Sequence, residues 1–126
     1  SSRPNPTQPK TLTMDITHED YQVQYDEATA TVRCSGSFRL HGDEYKPVLD
    51  LLTHAADARP ATLTLDVREL QFLNSSGINT LSKFVLQVRK HGVSQVVVQG
   101  SARYPWQEKS LKNLQRLLPA LQLDIV

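Results

Sequence analysis

An α/β domain is predicted, with a small mixed sheet of four to six strands packed against three or four helices, and three observations predict it. Period-two alternation on both sides of a short break, between Tyr21 and Cys34, marks an early antiparallel hairpin. From residue 43 onward strand-like and helix-like stretches alternate with short connections, which requires parallel crossovers. The chain has 126 residues, 39% of them hydrophobic, enough for one core without covalent staples.

Each element has its own signal. Residues 1–10 hold three prolines and no periodicity, and read as a disordered lead or the remnant of a trimmed start; residues 11–126 read as a single domain. Thr11 to Ile16 is a first, less regular strand. Tyr21 to Tyr25 and Thr29 to Cys34 form the hairpin around Asp26, Glu27 and Ala28, a break without glycine. Gly36 to Leu40 either continues the second hairpin strand or makes a short third one. From Asp43 to Ala58 the spacing turns helical, with Tyr45, Val48, Leu49, Leu52, Ala55 and Ala56 on one face. Pro47 falls in the first turn, where proline is tolerated, and Arg59-Pro60 ends the helix. Thr62 to Val67 is a strand and Arg68 to Leu73 a loop. A second helix starts at Asn74 or Ser75, carries Ile78, Leu81, Phe84, Val85 and Val88 inward, and stops at His91-Gly92. Gln95 to Gln99 is a short buried strand. Leu111, Leu114, Leu117 and Leu118 mark a third helix ended by Pro119, and Leu121 to Val126 adds a last strand. Helices gathered on one face would leave the other exposed or available for contact.

Composition narrows the function. Cys34 is the one cysteine, so no internal disulfide is possible, and a reducing, cytoplasmic home is the simpler inference. No apolar run approaches the length of a membrane span. The net charge of +1 divides unevenly, −4 over residues 1–79 and +5 over residues 80–126. That asymmetry can steer an acidic partner, although solvated Lys/Arg helix faces explain it more simply. A nucleic-acid partner is not expected, because only Tyr104 and Trp106 lie near the basic residues.

The segment from Leu65 to Ile78 is where the chain looks chemical. Asn74 and Ser75 are preferred N-cap residues, and capping alone accounts for Asn74-Ser75-Ser76-Gly77. The same geometry also suits a switch. A helix N-terminus offers free N–H donors and a partial positive charge, so a phosphate on Ser75 or Ser76, about −1.5 to −2 charge, is favoured there. Such a phosphate changes the surface that a partner meets without unfolding the domain.

The run Leu65-Asp66-Val67, then Phe72-Leu73-Asn74-Ser75-Ser76-Gly77-Ile78 and Leu81, resembles the signature of STAS domains, the sulfate-transporter and anti-sigma-factor-antagonist family. That signature is an apolar strand, a loop of the form F-[ML]-D-S-[ST]-G-[LI] and an amphipathic helix, and the order of elements matches from roughly Asp20 to Val126. The resemblance implies a bacterial-type, non-enzymatic regulator that switches partners. In stand-alone members a loop serine is phosphorylated by a serine kinase of the histidine-kinase-like ATPase fold, which is also the anti-sigma factor. The unphosphorylated form captures that kinase, and a phosphatase resets the cycle. Carried over by position, the phosphorylated serine falls on Ser75, with Ser76 beside it. The partner surface falls on Phe72, Leu73, Asn74, Ser75, Ser76, Gly77, Asn79, Ser82 and Lys83. Two departures stand out: the family's aspartate before the serine is Asn74, and Gly77-Ile78-Asn79 replaces Gly-Leu-Gly. A constitutive scaffold, or a module that binds a small ligand or anion without phosphorylation, is the alternative.

Other chemistry finds little support. His18, His41, His54 and His91 show no ligand spacing with one another or with Cys34, so neither a metal nor another cofactor is expected. No nucleophile elbow, phosphate loop or dinucleotide fingerprint occurs, and no enzymatic activity is expected. Asn74-Ser75-Ser76 fits a glycosylation sequon by accident of spacing. Trp106, the one tryptophan, precedes the third helix as a packing staple or, less simply, as an anchor for a partner.

Overall fold

The computed structural model describes residues 13–93 and 95–126; the lead read at residues 1–10 and the first two residues of the expected Thr11–Ile16 strand lie outside them. Six strands lie in sequence order, β1 (Thr13–Thr17), β2 (Tyr21–Asp26), β3 (Thr31–Phe38), β4 (Thr62–Leu73), β5 (Gln95–Gly100) and β6 (Gln122–Ile125). The pairs β1–β2 and β2–β3 are antiparallel, and β3–β4, β4–β5 and β5–β6 are parallel. Helices α1 (Lys46–Asp57), α2 (Ser75–His91) and α3 (Pro105–Leu117) fill the three parallel crossovers. Right-handed crossovers that always step to the next strand put every helix on the same side of a sheet. The sheet is therefore mixed, as its sequence pattern predicts, and covered on one face.

The alternation of each strand sorts its side chains between the two faces. Val23, Tyr25, Val32, Cys34, Leu63, Leu65, Val67, Val96 and Val98 are buried under the helices, against Val48, Leu51 and Leu52 of α1, Leu81, Phe84 and Val85 of α2, and Leu111 and Leu114 of α3. Each leucine so buried contributes about 1.5–3 kcal/mol. The opposite face is polar. Register aligns Asp15, Gln24, Arg33, Asp66, Gln99 and Asp124 in one row across all six strands.

Two boundaries differ from the sequence reading. The expected first helix is split, with a 3-10 turn at Gly42–Tyr45 before α1, and Pro47 sits at the start of α1 as anticipated. The stretch Arg68–Leu73, read as a loop, is the second half of β4. There β4 has outrun β5, whose pairing with it stops at Asp66, yet β3 continues beside it to Leu73 through two register shifts. Gly36 makes the bend between those shifts possible. Its φ of 88° is left-handed, and a Cβ there would lie 2.3 Å from the Asp20 carbonyl oxygen. The hairpin break solves its missing glycine differently, with Ala30 itself at φ 50°.

Candidate functional site

The carboxyl end of β4 delivers the chain to α2, and one side chain organises the junction. Asn74 has extended backbone, its N–H donates to the Phe38 carbonyl (3.1 Å), and its Oδ1 accepts from Gly77 N at 2.9 Å, which caps α2. The same Oδ1 accepts from the Tyr45 hydroxyl at 2.7 Å, while Nδ2 donates to the Leu40 carbonyl at 2.7 Å. Asn74 thus ties the helix start to the segment that follows β3 and to the 3-10 turn. An aspartate could cap the helix and accept from Tyr45, but it has no N–H for Leu40. The departure from the STAS signature is therefore built into this packing. Burial pushes the Tyr45 hydroxyl up to about 12, so it remains a donor at neutral pH.

Gly77 supplies the space for that contact. A Cβ on it would lie 2.3 Å from Leu73 Cδ1 and 2.8 Å from the Tyr45 hydroxyl oxygen. The backbone at this glycine thus approaches Leu73 and Tyr45 closely beneath the helix.

Because Asn74 does the capping, Ser75 is left as the exposed first residue of α2, its hydroxyl without a hydrogen bond among the described residues. Ser76 is half-buried, and its carbonyl accepts from Thr80 Oγ1 at 3.0 Å. Asn79 and Lys83 are exposed and Ser82 half-buried, its hydroxyl turned back to the Ile78 carbonyl at 2.9 Å. Phe72, before the junction, is 41% exposed, with the Arg39 guanidinium 5.0 Å above its ring. Seven of the residues singled out from sequence therefore reach the surface around one helix start. Leu73 and Gly77 do not: both are buried, the Leu73 side chain packed against Gly77 beneath the start of α2.

Of the groups that hold this junction from behind, sequence reasoning singled out Trp106 alone. Trp106 Nε1 donates to the Gln71 carbonyl (2.8 Å), in keeping with a packing role. Gln107, fully buried, donates through Nε2 to the Val67 (2.7 Å) and Leu70 (2.8 Å) carbonyls and accepts at Oε1 from Ser101 N (2.8 Å). The tip of α3 thereby takes over the β4 carbonyls that β5 no longer reaches. A glutamine at an inward helical position was the available signal. Tyr45 was visible only as a core residue, and the Leu40 carbonyl carries no sequence signal at all.

Among the described residues no group of three or more His, Cys, Asp or Glu side chains could hold a metal ion, and no helix is long and apolar enough to cross a membrane. Cys34 is fully buried, and burial pushes its thiol up to about 12.

A six-stranded mixed sheet, helices on one face and a capped serine junction after the central strand define a STAS domain. The STAS domain family model matches residues 22–104, and the chain belongs to that family. No curated protein matches it in sequence. Among solved structures it is similar to SiaC of Pseudomonas aeruginosa, with a TM-score of 0.70 at 14% identity over 91% of this chain and 98% of that one. SiaC in complex with the diguanylate cyclase SiaD, which it activates, gives a TM-score of 0.66 at 15% identity over 91% and 99%. An anti-sigma factor antagonist from Mycobacterium paratuberculosis gives 0.56 at 18% identity over 88% and 84%. At these identities the likeness is one of fold.

Proposed function

We propose that this chain is a non-enzymatic, cytoplasmic regulator that works by capturing a protein partner, and that phosphorylation of Ser75 ends the capture. The observation that carries the proposal is the division of labour at the start of α2. Asn74 satisfies the cap, so the Ser75 hydroxyl is exposed, and without a hydrogen bond among the described residues, at a position that favours added negative charge. A phosphate there breaks no internal bond and changes only what the partner meets. Ser76, half-buried, is the weaker acceptor. The contact surface is Phe72, Asn74, Ser75, Ser76, Asn79, Ser82 and Lys83, with Leu73 and Gly77 shaping it from beneath, and residues 11–126 act as one domain.

The family resemblance supports a serine kinase of the histidine-kinase-like ATPase fold as partner, with a phosphatase as the opposing enzyme. A second reading keeps the surface and changes the partner: the similar SiaC fold sits on a diguanylate cyclase, so an effector enzyme captured without phosphorylation is the alternative.

Intact mass and phosphopeptide mapping of the protein from its native host test the switch. An increment of about 80 Da on the peptide holding residues 73–83 is expected, the mass of one phosphoryl group. Ser75→Asp then abolishes capture of the kinase and Ser75→Ala preserves it. Unmodified protein under several growth and stress conditions, with both variants binding alike, would leave the constitutive reading in its place.

A further inference from the structure

The polar face of the sheet, turned away from the helices, contains a second feature that the partner surface does not use. Asp66 lies on this face, yet its side chain is only 3% exposed, because two arginines cover it. Arg33, its cross-strand neighbour, donates from Nε to Oδ2 at 3.2 Å. Arg68 donates from Nε to Oδ1 at 3.0 Å and from Nη2 to Oδ2 at 2.9 Å, and its backbone N–H adds a bond to Oδ1 at 3.1 Å. Burial works to raise this carboxyl, and the bonds from Arg68 and then Arg33 outweigh it and hold the group below the ordinary carboxylate range.

Two guanidiniums thus converge on one oxygen of one carboxylate, which leaves several of their N–H donors unspent. Their side chains are still 55% and 44% exposed. Among the described residues, both terminal nitrogens of Arg33 and one of Arg68 have no hydrogen-bond partner. They border a cavity of about 540 Å³ whose far wall, just past the carboxyl end of β5, brings Ser101 and Arg103. Glu69 and Val126, the last residue of the chain, also line it, so the three guanidiniums share the wall with two side-chain carboxylates, one of them consumed internally. In open α/β sheets ligands sit outside the carboxyl ends of parallel strands, and fixed guanidinium forks match the paired oxygens of phosphate and carboxylate.

We infer that the Arg33–Asp66–Arg68 cluster, with Arg103 opposite, is a binding site for a small oxyanion-bearing metabolite, separate from the Ser75 surface. Asp66 orients the forks, the free N–H groups of Arg33 and Arg68 take the anion's oxygens, and Arg103 closes over it. The cleft is open to solvent and has room for more than a single inorganic phosphate, so a phosphorylated or polycarboxylated molecule fits it.

The test is an NMR titration of the full ¹⁵N-labelled chain at constant ionic strength, with pyrophosphate in one arm and citrate in the other. Saturable shifts at the amides of Arg68, Ser101 and Arg103 are expected, with a dissociation constant of about 1 mM. Tighter pyrophosphate binding assigns a phosphorylated ligand, and tighter citrate binding a polycarboxylated one. Arg103→Gln, at an exposed position that bears no contact to Asp66, should weaken binding roughly tenfold while the rest of the spectrum stays in place. Linear, non-saturating shifts up to about 20 mM, or equal affinity in Arg103→Gln, would overturn the assignment.

Discussion

Gln107 is the residue whose loss should reveal how the serine junction is supported. In Gln107→Leu the volume stays nearly constant while the Val67 and Leu70 carbonyls and the Ser101 N–H lose partners now at 2.7, 2.8 and 2.8 Å. Leaving a buried polar group unsatisfied costs about 1–3 kcal/mol, so three such groups bound the effect at about 3–9 kcal/mol. Backbone adjustment and water entry at the end of β4 bring it to the lower half, about 3–6 kcal/mol, a large share of the roughly 5–15 kcal/mol of a whole domain. Urea unfolding followed by circular dichroism reads the global loss. Trp106 fluorescence reads the local one, since the chain's one tryptophan is next to the mutated residue and bonded to Gln71. Gln107→Glu sharpens the test. It retains an acceptor for Ser101 but sets a carboxylate oxygen against two carbonyls, so it should be no better than leucine at pH 8 and recover toward pH 5 as the carboxyl protonates. A loss below about 1 kcal/mol in Gln107→Leu would refute the tether as a structural element.

Two further predictions concern groups at or beneath the site. Gly77→Ala should destabilise by about 1–3 kcal/mol, because the new methyl displaces Leu73 and the Tyr45 hydroxyl and parts Tyr45 from Asn74; amide exchange at Gly77 and Ile78 should quicken with it, and unchanged exchange would contradict the packing described. Cys34 makes stability fall in alkali. The unfolded thiol ionises from about pH 8.5 while the folded one holds its proton toward about 12, so stability is complete below the first value and drains as pH rises between them. From pH 8 to 10 the native chain should lose about 2 kcal/mol more than Cys34→Ala, and parallel pH profiles would show that Cys34 ionises alike in both states.

Local pattern was enough for the elements whose residues choose a partner by hydrophobicity. The inward rows of Val23 and Tyr25, of Leu63 and Leu65, and of Leu81, Phe84 and Val88 follow from periods of two and of 3.6, and the αL glycine at Gly92 closes α2 where the sequence placed its stop. The serine junction was legible too, since a cap after a strand is a short-range feature. Arg68 to Leu73 was not. Its apolar residues do not alternate evenly, and it extends only because β3 bends around Gly36 to accompany it and α3 supplies side-chain donors from more than 35 positions away.

By itself, then, the sequence determined the strands and helices of a mixed α/β sheet and an N-cap with two serines, because each is read from residues within a few turns or one strand of one another. Tertiary structure decided which serine is free, why asparagine replaces aspartate, and which arginines share Asp66. Those outcomes rest on hydrogen bonds to Leu40, Tyr45 and Arg33, partners about 30 residues distant whose approach is set by strand register and helix packing.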